Sequence, residues 1–72
     1  MSANNYTQVL LRSTGVADLI CWVESRFASV GKLVEDESGR RWKVTEKYAT
    51  WPKERLDAQR QETNRFAEVL DA

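Results

Sequence analysis

The sequence predicts an α+β domain: a small, strongly bent antiparallel sheet of about four strands, followed by a C-terminal helix. Three observations point there. From Arg41 to Tyr48 the chain alternates. Trp42, Val44 and Tyr48 fall on one side of a two-residue period, and Arg41, Lys43, Thr45 and Lys47 on the other. That is the pattern of a half-buried strand with one apolar and one basic face. The acids Glu35, Asp36 and Glu37 lead into Ser38-Gly39, which is turn chemistry, so Leu33–Tyr48 reads as a β-hairpin. Thr50-Trp51-Pro52-Lys53-Glu54 then reads as a helix start, with a capping hydroxyl, a proline whose missing N–H costs nothing there, and an acid in the first turn.

Taken in order, residues 1–5 are small and polar and are expected to fray. Thr7–Arg12 reads as a first strand, punctuated by Ser13-Thr14-Gly15. Val16–Val30 reads in two ways. Val16, Leu19, Ile20, Val23, Phe27 and Val30 fit helical spacing, with Ser13 or Thr14 as cap and Gly31 as terminator. Alternatively Leu19–Val23 is a strand buried on both faces, and Arg26–Gly31 is a loop carrying Phe27 inward. The strand reading is adopted, because a lone hairpin needs further strands to cover its apolar face. Lys32–Asp36 and Arg41–Tyr48 are the hairpin strands, and Lys53–Leu70 is the helix. Charged pairs such as Lys53–Asp57 and Glu62–Arg65 lie at helical spacing, while the apolar stripe is thin: Leu56, Thr63, Phe66 and Leu70, beside Ala67. The expected core is Val9, Leu11, Ile20, Trp22, Phe27, Leu33, Trp42, Val44 and Tyr48. One form the bent sheet could take is a barrel resembling the SH3 type. The competing form sets a helical Val16–Val30 against three strands.

Seventy-two residues make a single domain: 1–5 flexible, 6–49 mainly β, 51–70 helical. A chain of this size buries roughly 60% of its unfolded surface, so its stability is narrow. Charges balance at 11 against 11, so no global field draws in nucleic acid or membrane, and electrostatic binding must be local. One cysteine makes no internal disulfide, no apolar run is long enough to span a bilayer, and the N-terminus has no signal-peptide pattern. The expectation is a cytoplasmic protein with no membrane association.

No residue set suggests catalysis, metal binding or a cofactor. Histidine is absent, Cys21 sits among Ile20, Trp22 and Val23 as a small core hydrophobe, and the glycines are isolated at turns. Glu35, Asp36 and Glu37 read as a solvated loop tip rather than a cation site. Trp51 reads as a staple between sheet and helix, or as an exposed anchor for a partner.

The run Cys21-Trp22-Val23-Glu24-Ser25-Arg26-Phe27-Ala28-Ser29-Val30-Gly31, a hairpin bearing Trp42, and a polar helix resemble a loose set of small bacteriophage and prophage proteins. The resemblance spans roughly residues 20–65. It implies phage origin (hence the host cytoplasm) and a similar architecture with Leu19–Val23 extended, but no mechanism.

Two functions are therefore expected. The first is a non-catalytic phage-type accessory protein that binds another protein of host or phage, as a host-factor modulator or an assembly component. Its surface would be Trp51, Arg55, Leu56, Gln59, Thr63 and Phe66, and the same helix could pair two copies into a homo-oligomer. The alternative is a small nucleic-acid-binding barrel using the basic residues Arg40, Arg41, Lys43 and Lys47. The aromatics Trp42 and Tyr48, expected on the opposite side of that strand, weigh against it.

Overall fold

The computed structural model describes residues 4–69. The expected fraying of Met1–Ala3 and the expected helical position of Leu70 fall outside the described residues. Asn4 and Asn5 are not frayed. Strand β1 runs Asn5–Arg12, Asn5 stands opposite Pro52, and the Lys53 N–H donates to the Asn4 carbonyl at 2.8 Å.

Strand β2 is Leu19–Glu24, followed by a 3₁₀ turn, Ser25–Phe27, that delivers Phe27 into the core. This agrees with the extended reading of Leu19–Val23 and excludes a helix over Val16–Val30. Strand β3 is Leu33–Glu35 and β4 is Arg41–Pro52, so the hairpin forms with Val34 opposite Trp42. A fifth strand, β5, Ala67–Glu68, was not expected; it pairs with β3. All five are antiparallel, in the order β2-β1-β4-β3-β5. The result is a small curled sheet of half-barrel form with one short helix.

Alternation divides the sheet. Thr7, Val9 and Leu11 of β1 point inward, with Val23, Cys21 and Leu19 opposite them on β2. Phe27, Ala28, Val34, Trp42 and Val44 complete this core, and Leu19 and Phe66 pack against it. Trp22 is buried too, but it stands opposite Gln8 and so belongs to the other face. There its ring packs on Trp51 with centroids 5.1 Å apart. The helix α1, Lys53–Ala58, follows directly, with Leu56 wholly buried yet outside the inner cluster. The sheet is thus covered on both faces near Trp22.

Three expected core residues are not buried. Ile20 is 56% exposed, Leu33 37% and Tyr48 45%. Ile20 and Leu33 sit on the outer face by alternation, opposite Leu10 and Lys43. Tyr48 is displaced by two irregularities in β4. Leu11 faces Val44 but Leu10 faces Glu46, so Thr45 is an extra residue. Val9 faces Lys47 but Thr7 faces Thr50, so Tyr48 and Ala49 share the place opposite Gln8. Each bulge inserts one residue and breaks the alternation.

The helix is also shorter than expected, six residues rather than Lys53–Leu70. Thr50 does not cap it. Its hydroxyl hydrogen-bonds that of Thr7 at 2.9 Å, and Pro52 occupies the N-cap. At the other end Arg60 takes a left-handed conformation, φ 56°. The Gln61 N–H then reaches the Leu56 carbonyl and the Arg60 N–H the Asp57 carbonyl, which is the Schellman arrangement that closes a helix. Beyond it the chain forms a strap. Thr63 bridges Trp22, the Asn64 N–H donates to the Trp22 carbonyl, Phe66 packs on the inner core, and β5 joins β3. The strap ties the two outer sides of the curl together.

Candidate functional site

The hairpin turn is built around one carboxylate. Asp36 Oδ1 accepts from the Ser38 and Arg40 N–H groups at 2.9 Å and from the Ser38 hydroxyl at 2.7 Å; Oδ2 accepts from Trp42 Nε1 at 3.0 Å. Gly39, at φ 90°, supplies the left-handed residue the turn requires. The hydrogen bonds from the Trp42 indole and Ser38 hold the Asp36 carboxyl down at about 2. This acid is a structural element of the turn.

The turn presents Arg40 toward the β1–β2 loop. Arg40 Nη1 donates to the Ser13 hydroxyl at 3.1 Å and to the Thr14 carbonyl at 3.0 Å; the Ser13 hydroxyl in turn donates to the Arg41 carbonyl at 2.7 Å. Two loops distant in sequence are thereby latched together. Between them lies an open concavity of about 890 Å³, lined by Arg12, Ser13, Thr14, Leu33, Ser38, Gly39, Arg40, Arg41 and Lys43. Pairing of β1 with β4 sets Arg12 beside Lys43, and pairing of β3 with β4 sets Leu33 on the other side of Lys43.

Four cations therefore converge from β1, the turn and β4. Two have carboxylate partners: Arg12 with Asp18 at 3.2 Å, and Arg41 with Glu35 at 3.8 Å. These pairs are exposed and weak, so an incoming anion can compete with them. Lys43 has no carboxylate within ion-pair distance among the described residues. The Ser13 and Ser38 hydroxyls already donate to the Arg41 carbonyl and to Asp36, so the donors the concavity offers an oxyanion are its guanidinium and ammonium groups.

Of the basic residues expected to act together, Arg40, Arg41 and Lys43 line this concavity and Lys47 does not. Lys47 lies beyond the Thr45 bulge, opposite Val9, about 10 Å along the strand from Lys43. Arg12, Ser13 and Thr14 were missed. Arg12 stands at the end of a readable strand, but nothing local says that this strand pairs with β4.

The surface expected to receive a protein partner is largely used within the chain. Leu56 is fully buried and cannot present itself to a partner. Trp51 is half-buried, stacked on Trp22, with the Arg55 guanidinium 4.1 Å from its ring centroid. Thr63 and Phe66 belong to the strap. Arg55 and Gln59 remain exposed. Of the expected helix pairs, Lys53–Asp57 forms, at 2.6 Å; Arg65 lies beyond the helix in the strap.

A second concavity, about 570 Å³, lies between the turn and the strap. Its Asp36 carboxylate is already engaged by the turn and Trp42. Burial pushes the Cys21 thiol up to about 11, so it is un-ionised at neutral pH and a poor nucleophile. Among the described residues no helix is long and apolar enough to cross a membrane. No protein-family model, curated protein or solved structure matches this chain significantly.

Proposed function

We propose that this chain is a small non-catalytic binding domain whose ligand is nucleic acid, held by its phosphates at the concavity of Arg12, Arg40, Arg41 and Lys43. The observation that supports it is the convergence of these four cations from three separate segments onto one open site, in a chain with no net charge. Phosphate contacts of this kind supply affinity without reading sequence. The curled sheet closed by its strap is read as a small barrel of SH3-like kind. The single free thiol fits the cytoplasm, which for a phage-encoded protein is the host's.

The experiment is fluorescence anisotropy of the full chain with labelled DNA and RNA oligonucleotides at low salt, repeated with the Lys43→Gln and Arg12→Gln variants. Binding that weakens in each variant supports the proposal. Absence of binding to either polymer at low salt, or variants that bind like the parent, would overturn it.

A second reading keeps the phage-type accessory protein that docks on another protein. It rests on Ile20, 56% exposed beside half-buried Leu10 on the outer face. Ile20→Asp should abolish capture of such a partner, whereas Lys43→Gln, which weakens the phosphate-dependent binding of the first reading, should leave that capture in place.

A further inference from the structure

The outer face of the sheet is continuous with the basic concavity, and it carries an aromatic ring. Regular alternation would bury Tyr48 beside Trp42 and Val44. The Thr45 bulge turns it out instead, opposite Gln8, to 45% exposure. Its hydroxyl donates to Glu46 Oε1 at 3.0 Å, and Glu46 stands opposite Leu10 on the outer face. Arg12 and Lys43 share that face, since their neighbours Leu11 and Val44 point inward. Between these cations and Tyr48 the register sets Glu46 opposite Leu10, with the exposed Ile20 next to Leu10 on β2. Cations, then this mixed row, then a tyrosine ring follow one another over about 13 Å from Lys43 to Tyr48.

We infer that this face receives a single-stranded nucleic acid, with phosphates at Arg12 and Lys43 and a base stacked on Tyr48. The inference rests on the nucleic-acid reading of the concavity and goes beyond it by naming the strandedness and the stacking residue. Charge supports the polarity. The carboxylate of Glu46 repels phosphate at the tyrosine end, and the cations attract it at the other. The Tyr48–Glu46 hydrogen bond orients the ring and raises the Tyr48 pKa. In a duplex the base faces are already stacked on one another and cannot reach the ring. An unpaired strand offers both a flexible backbone and free base faces, and stacking tolerates any base.

The test compares a labelled oligo-dT single strand, a labelled duplex of the same length and labelled polyglutamate, using the full-length chain at low salt. The variants are Tyr48→Leu, Tyr48→Phe and Lys43→Gln, with circular dichroism to establish folding. The expected result is preference for the single strand, a loss of about tenfold in Tyr48→Leu, and retention in Tyr48→Phe. If Lys43→Gln weakens binding while Tyr48→Leu does not, or if duplex binds as tightly, the stacking inference falls and the phosphate reading stands. Polyglutamate binding that shows the same Tyr48 dependence overturns the inference in favour of an acidic protein. Failure of both nucleic acids to bind at low salt removes the parent reading as well.

Discussion

Asp36 shows how much structure one side chain can organise. Its two oxygens accept from two backbone amides, one hydroxyl and one indole, which joins the turn to the core through Trp42. The carboxyl titrates at about 2, below its ordinary 3.8, so the folded state favours the charged form. The stability it contributes is complete above the ordinary value and is lost as pH falls from there toward 2. Asp36→Asn removes the charge and replaces one acceptor by an amide that cannot accept from Trp42. Thermal melts between pH 2 and 6 should show a lower midpoint for the variant at pH 6 and a shallower fall below pH 4. A variant melting like the parent at every pH would contradict this role. The turn itself was legible in the acids before Ser38-Gly39. The reach of Asp36 to Trp42 was not, because it depends on hairpin register.

Among the elements, the hairpin and the extended Leu19–Glu24 were readable because alternation and turn residues are local signals. Helix length was not. A stop signal is normally a glycine, and here Arg60 adopts the left-handed conformation instead. A residue with a Cβ loses roughly 1 kcal/mol or more there. Arg60→Gly should therefore raise stability by about 1 kcal/mol, read from the midpoint of urea unfolding. A destabilised variant would show that Arg60 contributes more through its side chain than its backbone costs. The bulges explain the misreading of Tyr48 in the same terms. A two-residue period assumes an uninterrupted ladder, and Thr45 and the Tyr48-Ala49 pair each interrupt it. The objection that the aromatics lie opposite the basic face holds for Trp42 and fails for Tyr48.

At the scale of the molecule, the strap joins the two sides of the curled half-barrel. It pairs with Trp22 at one edge, with β3 at the other, and lays Phe66 on the inner core between them. A chain ending at Ala58 should lose at least the contribution of the partly buried Phe66, about 1 kcal/mol. In a domain this small that is on the order of 5 °C in melting temperature. An unchanged melting temperature would show that the strap is only resting on the sheet. The site is likewise a product of the whole. Arg40, Arg41 and Lys43 were visible as neighbours in sequence. Arg12, Ser13 and Thr14 join them only because β1 pairs with β4 and Arg40 latches the loop.

The concavity draws its cations from all these scales, and its proposed role predicts a definite response to salt. Each phosphate neutralised on a single strand contributes about −0.7 to the slope of log affinity against log salt. Three to four contacts at Arg12, Arg40, Arg41 and Lys43 give a slope of about −2 to −3. The most direct measurement is that slope for a labelled single strand, taken with the parent chain and with Lys43→Gln. The line should be steep for the parent and shallower by about 0.7 for the variant. A flat line, or no binding at the lowest salt, would contradict the proposed role.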